Sequence, residues 1–359
     1  MLQRLALVLG SCFPLALVGC SGESSTTIGS TSTGASSSSG GSTESSSSGS
    51  ASSGSGSVSS SSSSSSGGTG GSGGGGNAKS VVKFVAIGDT GKGNQGQYDV
   101  AAAMAKKCEA DGCDFVQLLG DNIYDSGVDS TSDPQWQSKF ELPYAALDLP
   151  FWVVLGNHDY GGDGAGTDFG KGKHEIDYTK ISTKWKLPAA YYTRSEKHVD
   201  FFALDTNMAM FSQADNQKND VPTWIAASKA QWKIALGHHP YLSNGKHGNA
   251  GEYEGLPFVP IVNGKGVKDL LDDVVCGKVD LYLCGHDHSM QWLQPKCGSN
   301  TELVISGAGA STSELKGGNP VHFESLDIGF FYVVIEDNVL TGQFYNAAGE
   351  VLFTRTITK

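Results

Sequence analysis

The sequence predicts an α/β domain over residues 81–359. Three observations carry this: five short runs of Val, Ile, Leu and Phe, a helical pattern between the first two, and a glycine followed by a polar residue at the end of each run. Runs that are nearly continuously apolar read as strands covered on both faces, as in a mostly parallel sheet.

The first run, VVKFVAIGDTG (81–91), ends on Asp89. In the stretch YDVAAAMAKKCEADGCD (98–114), Val100, Met104 and Cys108 recur at helical spacing, with Gly112 placed as a C-terminal stop. The second run, DFVQLLGDNIYDSG (114–127), brings Asp121 and Tyr124. Strand, helix and strand in that order make a β-α-β unit with parallel strands. The third run, FWVVLGNHDY (151–160), ends on Asn157 and His158, and the fourth, WKIALGHHP (232–240), on His238 and His239. The fifth, VDLYLCGHDH (279–288), ends on His286, Asp287 and His288.

Open α/β sheets bind ligands just outside the carboxyl ends of their strands, so five polar strand ends are expected to build one site. A single Gly-Asp at a strand end reads as a turn with a capping carboxylate. Five in one chain do not, and six of the nine histidines, His247 included, fall in or just after these loops. Oxygen donors mixed with imidazoles suit iron, manganese or zinc, and the set is too large for one four-coordinate ion. Two ions sharing a carboxylate accommodate the surplus, and such a pair, about 3.5–4 Å apart, is the usual clamp on a phosphoryl displacement.

The order GDxG, GDxxY, GNHD, GHxP, GHxH resembles the purple acid phosphatases, a family of calcineurin-like metallophosphoesterases, and in particular their small, mammalian-type, tartrate-resistant branch. The likeness continues through LPAAYYT (187–193), VDFFALDT (199–206) and VISGAGA (304–310). It implies two mixed β-sheets packed as a sandwich with helices on the outer faces. It also implies a ferric ion held by Asp89, Tyr124 and His288, a divalent ion (iron, zinc or manganese) held by Asn157, His238 and His286, and Asp121 bridging the two. Asn157, His158 and His247 resemble substrate-binding positions, and His158 and His247 the catalytic histidines. The implied reaction is hydrolysis of small phosphomonoesters by attack of a metal-held hydroxide, with phosphoproteins and nucleotides left open as substrates.

Three positions depart from the family pattern: Thr90 where a bulky aromatic is usual, His239 where relatives have tyrosine, and Tyr160 where histidine is common. None is a ligand position, so they bear on substrate preference and pH optimum. His239 is either a third, substrate-binding imidazole at the mouth or a strand-end histidine bonded to backbone. Two rival readings stand beside the phosphatase. One is a phosphodiesterase or nucleotide-processing hydrolase of the same superfamily, against which Tyr124 argues. The other is a non-catalytic phosphate-binding surface lipoprotein, against which the seven filled ligand positions argue.

Residues 1–20, MLQRLALVLGSCFPLALVGC, read as a signal peptide whose ending resembles a bacterial lipobox, with Cys20 as the acylated residue. An ordinary cleaved signal with a chance cysteine is the alternative. Ser21 then favours the outer membrane or cell surface for an exported, membrane-anchored lipoprotein. Residues 21–80 are nearly all Ser, Gly and Thr and cannot bury enough apolar surface to offset chain entropy. As a flexible tether they span about 40–45 Å. Arg4, Lys79, Glu23 and Glu44 cancel, so the net charge of −12 sits wholly on the domain, which excludes a nucleic-acid binder. A monomeric catalytic domain is expected. Of its five cysteines, Cys108 with Cys113 and Cys276 with Cys297 are the candidate disulfides in an oxidising compartment, although spacing alone does not fix pairing. Cys284 lies inside an apolar strand and reads as a buried thiol.

Overall fold

The five apolar runs are strands; the first three bury their apolar side chains in one core, and the fourth and fifth divide theirs between two. The computed structural model describes residues 79–359; the expected signal peptide, Cys20 and the tether up to residue 78 lie outside the described residues. Four strands come first: β1 (Val81–Ile87), β2 (Phe115–Leu119), β3 (Phe151–Val154) and β4 (Trp185–Lys186). The next seven form a second sheet: β5 (Tyr192–Glu196), β6 (Val199–Ala203), β7 (Trp232–Leu236), β8 (Leu281–Cys284), β9 (Met290–Leu293), β10 (Glu302–Ser306) and β11 (Val321–Ser325). The chain then returns to the first sheet through β12 (Gly329–Glu336), β13 (Val339–Asn346) and β14 (Val351–Thr358).

The first sheet runs β14-β13-β12-β1-β2-β3-β4 and the second β11-β9-β10-β8-β7-β6-β5. β1 to β4 are mutually parallel, as are β6, β7, β8 and β10, whereas β12 meets β1 antiparallel. Both sheets are therefore mixed, as the resemblance implied. Phe84 of β1 and Phe115 of β2 stack at 5.0 Å, and Phe201 of β6 stands edge-on to both at 5.6 and 5.5 Å. This trio binds sheet to sheet, each aromatic pair adding about 0.5–1.5 kcal/mol to what burial supplies.

On β8, Leu281 and Leu283 join the core between the sheets, while Tyr282 and Cys284 join a second core on the outer face. Coverage of both faces is why the run shows no polar alternation. That outer core is completed by α3 (Thr206–Met210), α4 (Asp215–Ala227) and α5 (Lys265–Val274); α5 buries Val267, Leu270, Leu271 and Val274. The expected helix between β1 and β2 is α1 (Gln95–Asp111), and α2 (Lys171–Tyr178) follows β3. Asn94 caps α1 by accepting from the Gln97 amide at 3.0 Å, and Gly112, at φ 84°, ends it. Val100 and Met104 are buried, and Cys108 is bonded to Cys113 just past the cap. Cys276 is bonded to Cys297, and Cys284 is free and buried.

Candidate metal centre

The loops after β1, β2, β3, β7 and β8 meet, and backbone geometry makes their approach possible. Gly120, at φ 88°, precedes Asp121, and a Cβ on it would lie 2.6 Å from His238 Nδ1. A Cβ on Gly285 would lie 2.4 Å from Asp89 Oδ2. Glycine before the ligand is thus a steric requirement of the convergence. Asp89, Asp121 and His286 themselves sit at φ 59°, 53° and 71°, a left-handed conformation costing a non-glycine residue about 1 kcal/mol or more. Strain held at three neighbouring polar residues marks the place where the fold sacrifices stability for geometry.

Two groups of donor atoms result. In the first, Tyr124 Oη lies 3.1 Å from Asp89 Oδ1, 3.0 Å from Asp121 Oδ2 and 2.9 Å from His288 Nε2. In the second, Asn157 Oδ1 lies 2.9 Å from His238 Nε2 and 3.1 Å from His286 Nδ1, with those two nitrogens 3.2 Å apart. Asp121 Oδ2 is also 3.3 Å from His238 Nε2, so one carboxylate oxygen belongs to both groups. Asp121, His238 and His286 alone form a buried cluster able to hold an ion.

Five of the seven donors are aimed by a second contact. Asp89 uses Oδ2 to accept from the His286 amide, and Asp121 uses Oδ1 to accept from the His158 amide, both at 2.9 Å. Each thereby keeps its other oxygen for the cluster. Asn157 donates through Nδ2 to the Gly164 carbonyl at 2.7 Å, which turns its oxygen inward. His238 Nδ1 donates to the Leu119 carbonyl at 2.9 Å, and His288 Nδ1 faces Ser311 Oγ at 3.2 Å. Fixing one ring nitrogen presents the other, the usual arrangement around a metal-type histidine.

The electrostatics ask for positive charge. Burial works against a charged His238, but Asp121 and Asp89 outweigh it and hold the imidazole up at about 9. Burial and the same two carboxylates push the Tyr124 phenol well above its ordinary value. Burial and the neighbouring imidazoles push His286 down. Among the described residues no lysine or arginine forms a salt bridge with Asp89 or Asp121, and the one cation near the seven side chains, Lys92, stands over the Tyr124 ring at 4.9 Å. Carboxylates, a phenol, an amide oxygen and imidazoles sharing one oxygen between two groups are a donor set that fits two cations, which would replace the protons on His238 and Tyr124.

Two further imidazoles flank the cluster. The His158 ring packs 4.3 Å from Tyr124, with Nδ1 toward the Asp125 carbonyl, and the His247 ring packs 4.3 Å from His286. His247 pairs through Nδ1 with Glu254, while its amide donates to Asp287 Oδ1 at 2.8 Å. His239 is buried, and its Nδ1 bonds the Thr206 hydroxyl at 2.9 Å. The ring nitrogen's partner is therefore a side chain rather than backbone. Asn157, His239, His247 and His286 line a cavity of about 380 Å³, and His158 is not among its lining residues. Of the departures, Tyr160 donates to Asp205 and Thr90 is buried. Sequence reasoning missed Glu254, Thr206 and Ser311: Thr206 opens the five-residue α3, Glu254 lies in a single turn and Ser311 in irregular chain, and none of the three carries a periodic signal.

The calcineurin-like phosphoesterase family model matches residues 82–290. Tartrate-resistant acid phosphatase type 5 of Rattus norvegicus is 31% identical over 321 residues, covering 78% of this chain and 91% of that protein. The chain belongs to the purple acid phosphatase family. Purple acid phosphatase 3 of Arabidopsis thaliana is 30% identical, with 76% of each chain covered. Among solved structures, GAP50, titled the anchor in the inner membrane complex of Plasmodium, shares the fold with a TM-score of 0.62 and 23% identity, over 77% of this chain and 89% of that one. As a purple acid phosphatase family member, the chain is a metallophosphoesterase, and the family implies a dimetal centre.

Proposed function

We propose that this chain hydrolyses phosphate monoesters to an alcohol and inorganic phosphate at a two-metal centre. The observation that supports it best is the single oxygen, Asp121 Oδ2, standing in both donor groups. On this reading Asp89, Tyr124 and His288 hold ferric iron, Asn157, His238 and His286 hold iron(II), zinc or manganese, and Asp121 joins them. Bound there, the pair supplies positive charge against the phosphoryl oxygens and eases ionisation of the attacking water. His247 lies on the cavity side, where a departing alkoxide would stand, and gives it a proton as the P–O bond breaks. Glu254 on Nδ1 orients that ring. His158, anchored between Tyr124 and the Asp125 carbonyl, adds a proton donor on the other side. Asn157 contributes its oxygen to the centre and lines the substrate cavity.

The proposal extends to placement and partners: export as a lipoprotein anchored through Cys20, carrying a monomeric domain on its tether at the outer membrane or cell surface. Its substrates are small phosphomonoesters. The sequence of residues 1–80 supports the anchor, and Cys20→Ala should shift the protein from the membrane to the soluble fraction; retention at the membrane refutes it. Metal analysis of the purified protein with p-nitrophenyl phosphate hydrolysis between pH 4 and 8 tests the chemistry. Protein carrying two metals per chain, yet without monoesterase activity at any pH, would sink the reading.

A further inference from the structure

We propose that one wall of the cavity is a subsite for an apolar leaving group, so that monoesters of apolar alcohols are preferred over those of sugars and nucleosides. The inference rests on the phosphatase reading and adds which alcohol the enzyme releases. Beside Asn157, His286 and His247 the cavity is lined by Met210, Phe211, Ile261 and Val262; of its other polar lining residues, Asn207, Tyr253 and His239 are already bonded within the protein, to the Gly166 carbonyl, the Pro240 carbonyl and the Thr206 hydroxyl, which leaves Thr167. No lysine or arginine lines it, and its one acid, Glu254, is paired with His247. A ribose or hexose hydroxyl placed against those four apolar side chains finds carbon in place of hydrogen-bond partners, and leaving it unpaired costs affinity. The further phosphates of a nucleotide find no cation there, on a domain that carries the full net charge of −12. A hydrocarbon chain would instead displace water from the wall.

The wall is built, and it continues outward. Phe169 braces Phe211 edge-on at 5.2 Å, which fixes the ring that faces the cavity. Ile261 is held at φ 71°, a conformation that a β-branched residue enters only under strain, and in it contributes to the wall while 49% exposed. From there LPFVPIV (256–262) leaves Leu256, Val259 and Val262 partly exposed and Phe258 93% exposed. A run of apolar side chains leading from a cavity to solvent marks a ligand-binding groove more often than idle surface. The cavity end takes the carbons nearest phosphorus, and the lip takes those beyond.

The test is a homologous series, methyl to hexyl phosphate, whose alcohols are almost equally acidic, so that chemistry is constant and only apolar length changes. We expect kcat/KM to rise roughly two- to fourfold per added methylene until the groove is filled, mainly through KM. Glucose 6-phosphate and adenosine 5′-monophosphate should fall below butyl phosphate. Ile261→Asn and Val262→Asn, both at partly exposed positions, should each at least halve the logarithmic slope. Calorimetry with the unreactive alkylphosphonates reads the subsite without turnover, hexylphosphonate binding at least tenfold tighter than methylphosphonate. Turnover with a flat series and equal phosphonate affinities overturns the subsite and leaves the phosphatase. No turnover with the expected phosphonate gain overturns the phosphatase and leaves the subsite. A steep slope unchanged in both variants overturns the assignment of the wall.

Discussion

Replacing Tyr124 with Phe removes one oxygen from a buried site, the atom within 3.1 Å of Asp89, Asp121 and His288. Burial and two carboxylates hold that phenol protonated well past neutrality, so it serves as a ligand only by losing a proton. Metal affinity in the parent must therefore carry one proton more than in Tyr124→Phe, a factor of about ten per pH unit, or about 1.4 kcal/mol. Between pH 5 and 7 the parent's affinity for iron should gain roughly 100-fold on the variant's, whatever His238 contributes to both. Chelator competition at a series of pH values measures the two slopes. The visible spectrum of iron-loaded protein supplies an independent readout, because only phenolate bound to ferric iron absorbs there, and the variant should be bleached. Equal slopes together with unchanged spectra would refute Tyr124 as a ligand and with it the division of the site into two donor groups.

Three other substitutions test two separate links. Burial pushes the Asp205 carboxyl up from the ordinary 3.8 to about 6, against the pull of its bonds from Tyr160 and the Met208 amide. A raised acid contributes stability that is whole below about pH 4 and lost as pH rises through about 6, close to 3 kcal/mol for about two units. Asp205→Asn escapes that loss, so its urea-melt stability relative to the parent should improve by about 3 kcal/mol from pH 4 to 7; parallel curves would show that the carboxyl is not held neutral. His247→Ala should lower kcat on an alkyl phosphate about 100-fold, and Glu254→Gln about tenfold, with metal content intact. Both should be milder on p-nitrophenyl phosphate, whose leaving group needs no proton. Equal defects on the two substrates would argue against His247 as the proton donor.

The strand ends were legible because each joins two local signals, an unbroken apolar run and a glycine before a ligand type, and the structure brings Asp89, Asp121, Tyr124, Asn157, His238, His286 and His288 together. The β-α-β unit was legible in the same way, from the spacing of Val100 and Met104 and the stop at Gly112. The fold's two sheets came from resemblance, since nothing local in β12 tells it to pair with β1. What stayed hidden depends on contacts between distant loops. His239 was left between a substrate-binding imidazole at the mouth and a histidine bonded to backbone; it lines the cavity, and Thr206, 33 residues earlier, takes its Nδ1. Glu254 carries no pattern at all, and its role exists only because its loop folds back over His247. Asp287 holds the His247 amide across 40 residues, a contact that no local pattern announces.

The return of β12 to β1, pairing Val81 with Glu336 and Phe84 with Val333, has a consequence for how the molecule is made. As the ribosome releases the chain, β1 waits through the whole of the second sheet with one edge bare, and the first core cannot close until β12 arrives. Non-local pairing of this reach slows folding, and an unpaired, apolar edge invites pairing with another chain. A chain shortened by β12–β14 would keep all seven ligand residues and still expose the strand that carries Asp89. Synthesis to the far end is therefore a condition for a working centre, although no ligand lies beyond His288.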